Sequence, residues 1–185
     1  MLLAVVLALR PAAGPPVARV VIARADLAPG TVLGPVDVEL RPVDTAVVPK
    51  GAVADVGAVL GRRPDGPVRT GEILTDVRLV GREAAIAAAG TADAAGVPVR
   101  LADAAVAVLL RPGAQIDVVG AGPASAPGDA GEPAIVLAER AVVLDVLPAT
   151  ERTGAGPVVL VALPGPVAAR VAAATLGQEV TVTLR

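Results

Sequence analysis

No phenylalanine, tyrosine, tryptophan, cysteine or histidine occurs among the 185 residues of this chain. Asparagine is absent as well, Ser125 is the only serine and Lys50 the only lysine. Without cysteine there are no disulfides and no thiolate metal sites. Without histidine and cysteine, neither a Ser-His-Asp nor a Cys-His arrangement can be assembled, and a histidine zinc site is excluded. An enzyme built on this alphabet would have to run on Asp, Glu, Arg, Lys50 and backbone groups. Paired carboxylates can do acid–base work, but no pair stands at a signature spacing, so they read as solvated surface groups. The expectation is a chain with no catalytic activity, no cofactor and no metal. The formal net charge of −2 supplies no basic face for nucleic acid. Without aromatics there is also no platform on which single-stranded bases could stack.

What is present is aliphatic. Hydrophobic residues make up 54% of the chain, so any core must be assembled from Val, Leu, Ile and Ala, each burying less area than an aromatic ring. Frequent proline (18) and glycine (20) predict short elements and many turns. The length allows one or two domains.

The stretch LAPGTVLGPVDV at residues 27–38 reads as a turn at Pro29-Gly30 followed by an alternating strand through Val36, Val38 and Leu40. A weaker copy, VRTGEILTDVRL, occupies residues 68–79. Placing Gly30 on Gly71 carries Leu33 onto Leu74, Val36 onto Val77 and Val38 onto Leu79, an offset of 41 residues. Two copies suit a compact domain with internal pseudo-symmetry, and Pro29, Gly30 and Gly71 are its expected structural turns.

Before this unit stand nine apolar residues, 1–9, and a spacer to residue 16 rich in Pro and Ala. A spanning helix needs roughly 20 apolar residues, so residues 1–16 are read as a partial membrane anchor and tether. The first domain is expected over residues 17–81. Within it, residues 59–63 read as a strand, and Arg62, Arg63, Asp65 and Arg69 form the densest charge cluster. Arg62, Arg63 and Arg69 are the candidate contact surface for an acidic partner, against the plainer reading of a solvated turn at Pro64-Asp65-Gly66. Residues 82–96 are Ala-rich and read as a linker, because Gly90 and Asp93 weaken a helix there. In the second domain, residues 97–185, Pro98 predicts an edge strand. Residues 134–147 read as strand, bend, strand, and residues 158–163 as a buried strand. Pro166 and Gly177 bracket a helix, and alternation at Val180, Val182 and Leu184 gives a last strand. Strand, helix, strand makes this domain α+β.

The segments ARADLAPGTVLGPVDVELR and GPVRTGEILTDVRL resemble the SAF domain, which implies a β-clip fold. The segments LLRPGAQIDVV, AERAVVLDV and VVLVALPGPVAARVAAATLGQEVTVTLR follow in the order of the Flp pilus assembly protein CpaB (RcpC) family. Here Ala114 stands where that family usually has an acidic residue after its LRPG motif. The resemblance implies a mainly β protein with some α, a β-clip (SAF) domain followed by a small CpaB-type α+β domain. It also implies a non-catalytic, extracytoplasmic scaffold on a single-pass anchor, binding pilus assembly or secretion proteins of a Flp/Tad system, with exposed strand edges as a means of contact. SAF domains also occur in sialic acid synthases and antifreeze proteins, which raises the alternative of a carbohydrate- or peptidoglycan-binding module. The missing aromatics argue against that. Their occurrence with sugar-acid dehydratases raises a lyase, which the missing metal-binding and catalytic residues disfavour.

Overall fold

The computed structural model of the chain describes residues 15–122, 134–148 and 156–185. Residues 1–14 of the expected anchor and tether, and Ser125, fall outside the described residues.

In the first unit, β1 (Val17–Ala23) and β2 (Val38–Asp44) pair antiparallel, with Val21 opposite Leu40 and Ala23 opposite Val38. The rest is loop and single 3-10 turns, held by isolated bridges such as Leu27 with Val68 and Pro64 with Leu79. The two 41-related segments trade backbone hydrogen bonds reciprocally. Leu33 N–H donates to the Arg62 carbonyl and Leu74 N–H to that of Val21, both at 2.9 Å. Gly30 N–H donates to Pro64 (3.1 Å) and Gly71 N–H to Ala23 (2.8 Å). Leu27 and Val68, themselves one offset apart, exchange both bonds with each other. Such an exchange is the signature of a pseudo-two-fold axis, which passes between Leu27 and Val68. Leu33, Val38, Leu74 and Leu79 converge with Val21 and Val59 in one buried cluster. Each buried Leu or Val contributes roughly 1.5–3 kcal/mol.

Several expectations for this unit need correction. Val36 is 77% exposed, because the turn after Leu33 runs on to Asp37 and the strand begins only at Val38. Its counterpart Val77 lies in the 3-10 turn Asp76–Arg78 and is also exposed. Residues 59–63 form no strand but a tight turn, in which Arg62 N–H donates to the Val59 carbonyl. Tight turns and short bridges satisfy backbone groups as a ladder does, so a period of two does not separate them from a strand.

The second unit is a fully antiparallel five-stranded sheet, in the order β3 (Ala95–Arg100), β6 (Val158–Leu163), β5 (Ala134–Leu147), β4 (Gln115–Ala121), β7 (Val180–Leu184). Pro98 lies on the edge strand β3, where a missing N–H costs no ladder bond on the outer side. β6 is covered on both faces. Val159, Val161 and Leu163 point to one cluster, with Ala168 and Val171 of α3 (Gly165–Ala174). Ala162 points to the other face, with Ala84 and Ala85 of α1 (Arg82–Ala89). The stretch expected as a linker therefore carries a helix packed on the sheet. Gly90 does not weaken α1 but ends it, with φ +70° and its N–H bonded to the Ile86 carbonyl. The short α2 (Ala104–Leu109) starts at Asp103, whose carboxylate accepts from the Ala105 N–H at 2.8 Å. β5 runs unbroken through its expected bend. The bend is a bulge in which Arg140 takes φ +50° and donates its N–H to Asp117 Oδ1 at 2.8 Å. Asp117 also grips Arg185 Nε with both oxygens, and these bonds, Arg185's first, hold its carboxyl below the ordinary range. The protein is thus mainly β, a loop-rich first unit followed by an α+β sheet unit.

Candidate docking site between the two units

The two turns that carry the family resemblance face each other. Pro29 and Gly30 of the first unit, and Arg111 and Pro112 of the second, line one cleft of about 620 Å³. Ala28–Thr31 is closed by a bond from the Thr31 N–H to the Ala28 carbonyl (3.2 Å), with Gly30 at φ +75°. A positive φ at the third position defines a type II turn, which Pro at the second and Gly at the third suit best. The opposite wall follows α2, where Leu110 is buried and the Arg111 guanidinium donates to the carbonyls of Val108 (2.7 Å) and Leu110 (2.8 Å).

At the base of the cleft lies Asp145, 4% exposed and the one buried polar or charged residue among those described. A slip of register between Val143 and Asp145 sets it opposite Leu160 of β6. One carboxylate oxygen accepts from the Val146 N–H at 2.9 Å, and the other lies 3.5 Å from the Arg63 guanidinium of the first unit. A buried carboxylate is costly unless paired, and this pair links the two units. Gly30 presses from the same side: a Cβ there would sit 3.3 Å from Asp145 Oδ1.

The three arginines singled out in the sequence do not form one patch. Arg62 donates to the carbonyls of Leu79 and Val80 at 3.3 and 3.4 Å. Arg63 turns to Asp145. Arg69 pairs with Asp26 at 2.6 Å and is 81% exposed. The turn beside them is only partly solvated: Pro64 is buried and Asp65 half-buried, and burial pushes the Asp65 carboxyl up against the pull of Arg78. Asp145 itself was missed. Its one signal in the sequence is a lone charge inside the apolar run VVLDVL.

The second turn, Arg69–Glu72, copies the first. Glu72 N–H bonds the Arg69 carbonyl at 3.0 Å, with Gly71 at φ +81°. Where the first turn has Pro29, this one has Thr70, whose N–H and hydroxyl both donate to Asp26 Oδ1 at 2.9 Å. That backbone bond, then Arg69 and the Thr70 hydroxyl, lower the Asp26 carboxyl to about 2.

These residues, 18–80, match the family model of the SAF domain. They are a SAF domain. No curated protein and no solved structure matches the chain. SAF domains are in general binding or scaffold modules rather than enzymes. Among the described residues no group of three or more carboxylates is placed to hold a metal ion, and no helix is long and apolar enough to cross a membrane.

Proposed function

We propose that this protein is a non-catalytic scaffold of the cell envelope, an assembly factor of a Flp/Tad-type pilus secretion system resembling the CpaB (RcpC) family. It works through protein–protein contacts, from the extracytoplasmic side of a membrane to which the apolar N-terminal segment contributes an anchor. The observation that supports this reading is the meeting of two motif turns, 28–31 of the SAF domain and RPG at 111–113, across one cleft joined by Arg63 and Asp145. A pair of modules held at a fixed angle is what a scaffold needs, since it presents surfaces of both in one geometry. The test is crosslinking in intact cells, followed by purification from the envelope fraction. Recovery with the pilus ATPase, platform or prepilin components is the expected result. Recovery from the soluble cytoplasm with none of them rules the reading out.

A further inference from the structure

The pseudo-two-fold axis of the SAF domain relates two concavities, and the second unit supplies a wall to only one of them. On the SAF side the first is lined by Pro29, Gly30 and Arg63. Moving each by the 41-residue offset gives Thr70, Gly71 and Ile22, and these three line a separate concavity of about 220 Å³ on the other half of the domain. The equivalence holds at the level of hydrogen bonds, because Gly30 to Pro64 and Gly71 to Ala23 are the same contact made from opposite sides of the axis. At the first, a strand of the second unit brings one carboxylate, Asp145, against an arginine and a glycine turn. In the second, nothing from the described residues plays that part.

The second concavity has its own cations, at positions that the offset does not relate to Arg63. Arg24 and Arg41 rim it with Glu39 between them. Glu39 lies 3.8 Å from Arg24 and 2.5 Å from Arg41, so a single carboxylate serves two guanidiniums. Both arginines are more than half exposed, and planar guanidinium forks retain donors for a second carboxylate. The turn at its edge is already rigid, since Asp26 holds both donors of Thr70. A rigid turn lowers the ordering cost of binding.

We propose that the open concavity bounded by Ile22, Thr70 and Gly71, with Arg24 and Arg41 on its rim, docks an acidic segment of a partner protein, an extended strand presenting one Asp or Glu as β5 presents Asp145 to the opposite half. This deepens the scaffold reading and rests on it for the existence of a partner. It does not rest on the pilus assignment.

The test titrates the full chain with a peptide copied from residues 144–148, acetyl-Leu-Asp-Val-Leu-Pro-amide, while backbone amide resonances are followed. The expected result is a saturable shift at Thr70, Gly71 and Arg24 with a dissociation constant near about 1 mM, which corresponds to a weak single contact. The same peptide with Asn in place of Asp should bind at least tenfold more weakly. The variant Arg24→Glu/Arg41→Glu should lose the shift, and its unfolding midpoint should stay near that of the parent because both sites are exposed. Three results overturn the proposal: no saturable shift at Gly71, equal binding of the Asn peptide, or shifts at Gly71 that depend on protein concentration without peptide, which would make the occupant a second copy. A negative titration beside successful recovery of pilus components removes this concavity and spares the scaffold. A positive titration beside failed recovery keeps the concavity and removes the pilus role.

Discussion

The two halves of the SAF domain share a backbone and differ in what their side chains do with it. Both place a glycine at positive φ in a closed four-residue turn, and both send that glycine's N–H across the axis. Yet one turn is stiffened by a proline ring at residue 29 and the other by an Asp26 cap on Thr70. One abuts the buried Asp145, while the other opens to solvent beside two arginines. At related positions stand Ile22, which is buried, and Arg63, which reaches the second unit. Even a lost bond has its reason: Ala23 N–H donates to Glu72, whereas its counterpart Pro64 has no N–H to give. The lesson is that reciprocal main-chain bonding and a few buried leucines set the pseudo-symmetry. Side chains outside that frame are free to diverge toward different neighbours.

Four expected outcomes test the comparison. The largest effect concerns the shared frame. Leu33→Ala and Leu74→Ala should each cost about 3 kcal/mol in urea unfolding, since both are buried in the same cluster. A difference between them above about 1.5 kcal/mol would show that the halves are not energetically equivalent. Next comes the point of greatest divergence. Arg63→Ile, which copies Ile22, should destabilise by about 2 kcal/mol, because Asp145 is left buried without its cation. Adding Asp145→Leu should recover most of that loss, and the double-mutant cycle measures the coupling. A smaller change follows at the turns. Gly71→Ala should cost about 1 kcal/mol through backbone strain alone, as a Cβ there meets nothing within 4 Å. Gly30→Ala should cost more, since its Cβ also crowds Asp145. Thermal unfolding of the pair distinguishes the two terms.

The smallest effect is one of pH. The Asp26 carboxyl is depressed on folding, so its stabilising contribution is complete above the ordinary value of 3.8 and is lost as pH falls through about 2. Because Asp26 stands on the surface, the change should be slight. Its titration, followed by carboxyl carbon NMR, should centre near 2. In Asp26→Asn, the Thr70 amide should lose the pH dependence it shows across that window. A midpoint near 3.8 would mean that the cap on the second turn is open in solution.

How much of this was legible beforehand varies with the element. The 41-residue offset was readable from Gly30, Leu33, Gly71 and Leu74, because a positive-φ turn followed by a buried leucine leaves a distinct trace. The buried strand β6 and helix α3 were readable from an apolar run and from Pro166. Of the strands expected after the two turns, the first is real but begins only at Val38, and the second is a 3-10 turn and an isolated bridge, which carry the same alternation. Helix α1 was misread because its small apolar face, Ala84 and Ala85, gains meaning only against Leu144 and Ala162. Arg63 was noticed for its charge, but its partner lies 82 residues away.

By itself the sequence determined which catalytic arrangements lack their side chains in this chain and the type of core it can build. Both follow from which side chains exist at all. It also determined the SAF domain, because turn and core positions are local constraints with a fixed spacing. Only the tertiary structure decided that Arg63 belongs with Asp145, that the two motif turns share a cleft, and that Ile22, Thr70 and Gly71 line a second concavity. Those facts depend on long-range docking, where burial gives a lone carboxylate its partner and folding brings residues distant in the chain onto one surface.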